Sequence, residues 1–373
     1  GSHGQQADES AVSYNFLRTT KGSETLRVLL NELFEAPNPS SGEELSSSVS
    51  GPRRALTHLS ELMENDSQIH SSCHPIAHNL GRAAYLYFGG LDAAYDGMVG
   101  TDDARLLRLC NAAYLHGVIE FQLRDVGDVN YLVSAASQIE EKVCKNMNNV
   151  PAGAWECRHG IGHGIIQRYR MDAEKSPIQK GVEACKQTAS PVDCENGLWM
   201  DHFAVSGNIQ SMENRMMASD VLMETLTSFV DGSLQGNNDS SNIQERFRLP
   251  PLSPTLQICN LGTDDFDCFI YAVTEYLLVH PGDYVGALKY CTNPSANITK
   301  SQINLCTQGV GTQCAKENMN DFSVVERVCE TLELEAGISC FRTAVSYYDT
   351  SSGGKRPRDA GVCKKVKRYN RYC

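Results

Sequence analysis

Three pairs of side chains able to share a metal ion stand four residues apart in the first half of the chain: His74 with His78, His116 with Glu120, and His159 with His163. On a helix that spacing stacks both members on one face, with Cβ atoms about 5 to 6 Å apart. Two such side chains can grip one ion. His202 extends the series. His74, His78, His116, His159, His163 and His202 are therefore the expected metal ligands, with Glu120 as a further ligand, a general base or an orienter of an imidazole. Asp201 and Glu275 are weaker carboxylate candidates. His58, His70 and His280 have no such company and read as ordinary surface or core residues, and His3 belongs to an opening Gly-Ser-His that reads as an expression scar.

Six imidazoles and a carboxylate exceed the three protein ligands of a catalytic zinc site, so one or two ions per chain are expected. Imidazoles in threes suit copper pairs that handle dioxygen, whereas a mixed imidazole and carboxylate set suits iron, or zinc acting on water. The leading expectation is a secreted metal-dependent oxidoreductase using copper or iron, with Glu120 assisting proton transfer. One alternative is a zinc-dependent hydrolase in the same pocket, with Glu120 as general base. Another is a noncatalytic helical-repeat module that binds a partner. The substrate would be a small molecule or a peptide. The chain carries no GxSxG, HExxH, phosphate loop or dinucleotide fingerprint, which leaves serine-hydrolase, zincin and nucleotide-dependent chemistry without support.

What must position these groups is written in the cysteines. Cys110, Cys157, Cys194, Cys268, Cys306 and Cys340 follow one another at steps of 47, 37, 74, 38 and 34, and 74 is twice 37. A period of about 37 residues is one helical hairpin of a repeat array. Each of the last five anchors has a partner 9 to 15 residues upstream, giving the expected disulfides Cys144–Cys157, Cys185–Cys194, Cys259–Cys268, Cys291–Cys306 and Cys329–Cys340. In each unit a helix ends near the first cysteine, a short loop follows, and a new helix begins at the second. Cys73–Cys110 and Cys363–Cys373 would complete seven bridges and leave Cys314 as the odd thiol. The expected fold is all-α, built of disulfide-stapled helical-hairpin repeats that form a solenoid or a closed α/α toroid-like domain.

The repeat also aligns the histidines. His116 and His163 both sit at the sixth position after their anchor cysteine, with His159 at the second, so they share a face of equivalent helices. In later units the sixth position is Met200, Thr274, Thr312 and Ser346, which leaves the carboxy-terminal repeats as scaffold or substrate wall. Gly117, Gly160, Gly162 and Gly164 lie inside these apparent helices, where each costs up to about 1 kcal/mol relative to alanine. Close helix packing around the imidazoles would offset that cost. If Cys157 to Gly164 were instead a loop, the facial argument would weaken.

The remaining chain frames this core. Residues 1–52 contain one amphipathic helix near Glu24 to Phe34 and a polar run, and read as an arm and linker. Residues 53–231 form the histidine-rich helical half, 232–256 a polar loop, 257–349 the second cysteine-rich half and 350–373 a basic tail. From Lys355 to the end the local charge is +7, set against −12 for the whole chain. The tail reads as solvated, or as docking an anionic partner: a sulfated polysaccharide, a membrane surface or the protein's own acidic body. The negative total disfavours nucleic-acid recognition, and no run of about 18 apolar residues is present to span a membrane. Fifteen cysteines without a CxxC pair, together with glycosylation sequons at Asn65, Asn238 and Asn297, point to a secreted or lumenal glycoprotein. A native signal peptide or anchor is compatible with the scar at the start.

Overall fold

The computed structural model describes residues 16–34, 50–96, 104–149, 153–171, 176–206, 255–263, 265–293, 298–352 and 356–373. Among them every regular element is helical and none is a strand. The chain opens with α1 (Thr20–Phe34), α2 (Gly51–Asn65), the short α3 (Ser67–Ser71), α4 (Cys73–Phe88) and α5 (Leu91–Asp96). There follow α6 (Ala104–Arg124), α7 (Leu132–Ile139), α8 (Gly153–Met171), α9 (Pro177–Cys185) and α10 (Pro191–Ser206). After a 3-10 helix at Thr255–Leu261 come α11 (Asp265–Val279), α12 (Tyr284–Cys291), α13 (Lys300–Glu317), α14 (Phe322–Cys329) and α15 (Leu334–Ser351). The polar segment 232–256 and the sequons at Asn238 and Asn297 fall almost entirely outside the described residues.

Cys144, Cys185, Cys291 and Cys329 each close a short helical segment, and Cys157, Cys194, Cys306 and Cys340 each lie in the first half of the long helix that follows. All five short-loop bridges form, as does Cys363–Cys373, with Cα separations between 5.3 and 6.2 Å. Six disulfides belong to an oxidising, secretory-type environment. Cys314 is a buried free thiol, as the odd count requires. The expected Cys73–Cys110 bridge is not formed: both are buried free thiols.

The long helices pack on one another in chain order, α4 on α6, α6 on α8, α8 on α10, α10 on α11, α11 on α13 and α13 on α15, and α15 also meets α6. Apolar residues at three and four spacings face these contacts, so Trp199, Phe203, Phe269, Phe322 and Phe341 are fully buried. Burial of such side chains contributes about 1.5 to 3 kcal/mol each.

Both chain ends pack on the helical body. The first helix is no arm: Leu26, Leu29, Leu30 and Leu33 are 0–1 % exposed, because its apolar face packs on α2 and α4. At the other end, the basic tail docks. Val366 and Tyr369 are buried, the Tyr369 ring lies 5.2 Å from that of Phe341, and the Glu326 carboxylate accepts from the Lys367 and Tyr369 amides at 2.9 to 3.0 Å. Lys365 pairs with Asp321 at 2.8 Å. No helix among the described residues is long and apolar enough to cross a membrane.

Candidate metal centre

Backbone proximity comes first. α4 and α6 cross so closely that a Cβ at Gly117 would overlap the His78 carbonyl oxygen, and α8 and α10 so closely that one at Gly162 would overlap that of Cys194. The helix-interior glycines thus have the packing cause that their cost demanded. Residues 153–171 are helix throughout, which removes the loop reading of Cys157 to Gly164.

These crossings bring the imidazoles of three helices together. His74 and His78 of α4, His116 of α6 and His163 of α8 each offer a ligand atom within 4.8 Å of the others, and all four are buried. Ring centroids are 4.8 Å apart for His74 and His78, 5.5 Å for His78 and His116, and 5.3 Å for His78 and His163. Ligands on a tetrahedral ion at about 2.1 Å stand about 3.4 Å apart, so the group is of a size that could hold one metal ion if the rings close in.

Each of the four rings has an outer oxygen facing one nitrogen, and in His74 and His116 the other nitrogen has no hydrogen-bond partner. His74 Nδ1 donates to the Cys110 carbonyl at 2.7 Å, and its Nε2 has no hydrogen-bond partner. His78 Nδ1 faces Glu120 Oε2 at 3.3 Å. His116 Nε2 donates to the Glu156 carbonyl at 3.1 Å, and its Nδ1 has no hydrogen-bond partner. His163 Nδ1 lies 3.4 Å from Asp201 Oδ1. Outer oxygens that fix the tautomer and aim the opposite lone pair are the usual support of metal-bound histidine. The two carboxylates are themselves held: Arg82 donates to both oxygens of Glu120 at 2.7 and 2.8 Å, and Asp201 accepts from Gln167 at 3.0 Å and Arg170 at 2.7 Å. Burial drives His74, His116 and His159 well below the ordinary imidazole range and takes His78 to about 3. Neutral rings are the form that binds metal.

The remaining expected residues take other places. His159 adjoins the group, its Nε2 3.0 Å from His163 Nε2. Glu120, expected as ligand or base, is occupied by Arg82 and orients His78. Asp201 does the same for His163. His202 is not brought in: helix geometry separates adjacent residues by about 100°, so with Asp201 facing His163 it turns away, to Arg170 at 3.3 Å and the Phe203 ring at 5.0 Å. Glu275 is buried on α11, outside the group.

Two further features leave no mark in the residue pattern. One is the backbone of α6. Leu109 is extended and Cys110, Asn111 and Ala112 are left-handed, with φ of 56°, 57° and 52°. Such non-glycine residues cost roughly 1–2 kcal/mol each, and this turn carries the carbonyl that receives His74. The other is Glu156. Its Oε2 makes no hydrogen bond and lies 3.4 Å from His116 Nε2, and burial pushes its carboxyl up to about 8.

Glu156 and His159 also line a cavity of about 680 Å³ whose far walls come from α11, α13 and α15. The residues two positions after five anchor cysteines, His159, Asn196, Ile270, Gln308 and Arg342, all line it, as do Met200, Thr312 and Ser346 from the sixth position. Residues of α8, α10, α11, α13 and α15 therefore look into one chamber. Comparison of the chain with protein-family models, with curated proteins and with solved structures gave no match in any of the three.

Proposed function

We propose that this protein is a secreted metal-dependent oxidoreductase, with a redox ion, copper or iron, held by His74, His78, His116 and His163 and a substrate admitted through the adjoining chamber. The observation that carries the reading is that four buried imidazoles each bring a ligand atom within 4.8 Å of the others, with an outer oxygen facing one nitrogen of each ring. Uncharged imidazoles suit copper, iron and zinc. The bound ion would supply one-electron chemistry. The chain would supply orientation through Glu120 and Asp201, exclusion of bulk water by burial, and a proton held at Glu156 near neutral pH.

In this reading the hairpins close into a toroid, with residues 53–231 carrying the centre and 257–349 forming the facing wall. The meeting of α15 with α6 and the shared lining of the chamber by equivalent positions support that closure. Asn65, exposed at the end of α2, is the sequon proposed to carry glycan.

The test is elemental analysis of protein purified without chelators, coupled to an oxygen-consumption assay. The reading expects near-stoichiometric copper or iron, lost together with oxygen uptake in a His116→Ala, His163→Ala variant. Zinc alone, with no oxygen uptake, would support the second reading, a zinc-dependent hydrolase. Glu156 favours that alternative specifically, since an unpartnered carboxyl oxygen in the chamber wall is placed to exchange protons with a substrate. Absence of stoichiometric metal would leave only a binding module.

A further inference from the structure

A second cluster of metal-binding atoms lies beside the imidazoles and is made entirely of sulfur. Cys110 Sγ is 3.7 Å from Met63 Sδ, the Cys110 carbonyl meets the ring of His74, the residue after Cys73, at 2.7 Å, and burial, with the neighbouring Cys73, holds the Cys110 thiol well above its ordinary value. Met63, Cys73 and Cys110 are 6 %, 2 % and 0 % exposed. Three separate helices contribute them: the last turn of α2, the first residue of α4 and the left-handed turn of α6. Twelve other cysteines of this chain are in disulfides, so these two buried free thiols and the thioether stand apart from the rest.

We propose that Met63, Cys73 and Cys110 form a soft-metal site for a single Cu(I) ion, distinct from the four-imidazole centre and adjacent to it. Sulfur ligands bind at about 2.3 Å, so three of them around a trigonal ion stand about 4.0 Å apart. The Cys110–Met63 spacing is close to that figure and far longer than a sulfur–sulfur bond of about 2.05 Å. Thiolate and thioether together select Cu(I) over harder divalent ions. Binding displaces the two thiol protons to solvent and oxidises nothing. The site touches the imidazole centre twice, since Cys73 directly precedes His74 in the chain and the Cys110 carbonyl accepts from His74 Nδ1 at 2.7 Å.

The experiment uses the full chain, purified without chelators and handled without air. Thiols are first counted after denaturation: three per chain are expected, Cys73, Cys110 and Cys314. A count of one overturns the proposal, because Cys73 and Cys110 would then be a disulfide. Cu(I) is next titrated against bathocuproine disulfonate, and X-ray absorption of the loaded protein reads the donor atoms. One chelator-resistant Cu(I) with sulfur donors is expected. Cys110→Ser should abolish it. Met63→Leu, a near volume-conserving change that a core tolerates, should weaken it by about tenfold or more through loss of one soft ligand. Nitrogen-only donors, or affinity unchanged in Met63→Leu, would overturn it. Retention of this Cu(I) in the His116→Ala, His163→Ala variant separates the sulfur site from the fate of the imidazole reading.

Discussion

At the scale of single residues, the centre is governed by what stands behind each imidazole. Asp201 touches His163 from outside, so Asp201→Asn keeps shape while removing the charge that favours the Nδ1–H tautomer. Metal affinity is expected to fall about 10- to 100-fold, measured by competition with a chelator of known affinity, while a comparable substitution at His202 leaves it unchanged. The depressed imidazoles also set a pH dependence for the metal-free protein. His74, His78, His116, His159 and His202 all have folded values below 6.5, so below that pH the unfolded chain binds protons that the folded chain refuses. Their contribution to stability is complete above about pH 6.5 and is lost as pH falls toward the folded values, about 3 for His78. Glu156 has the opposite sign: its raised value weakens the fold as pH climbs from the ordinary carboxyl range toward 8. Five groups against one predict a melting temperature that drops between pH 6.5 and 4.5, read by circular dichroism on chelator-treated protein.

At the scale of helices and their staples, close crossings do the positioning. Gly117→Ala must push α4 from α6, an overpacking expected to cost about 1–3 kcal/mol and to lower metal stoichiometry together with thermal stability. A surface substitution of equal cost would move stability alone. Removing the Cys185–Cys194 clip, which closes a loop of separation 9, is expected to cost about 2 to 3 kcal/mol on the chain-entropy model, measured by denaturant unfolding. Much of this level was legible beforehand. Cysteine spacing reports where hairpins turn, because a short bridge requires both ends of the turn to meet, and histidines four apart report one helical face. The left-handed turn at Cys110–Ala112 was not legible, since its residues carry no glycine and read as continuous helix. Nor was Glu156, an isolated carboxyl in a local pattern that assigns it no partner; its role appears only when α6 and α8 are brought together. Cys73 and Cys110 were matched by count, and the count could not weigh the Met63 sulfur that lies beside them.

At the scale of the whole molecule, the two chain ends are part of the packing. Cutting at residue 352 would remove the Cys363–Cys373 clip and the Tyr369 ring from Phe341. That truncation is expected to destabilise the carboxy-terminal helices and raise protease susceptibility, scored by limited proteolysis against the full chain. The tail's burial was hidden in the sequence because its charge dominates its composition, while Val366 and Tyr369, which do the packing, are only two residues among lysines and arginines.

The order in which the chamber's walls occur along the chain has a temporal consequence. Every imidazole of the four-ring group lies between positions 74 and 163, whereas the opposite wall comes from positions 267 to 350. During synthesis the rings can gather while that wall has yet to emerge from the ribosome. An ion would then meet an open cradle first and a roofed one later, so loading and roofing are ordered by translation itself.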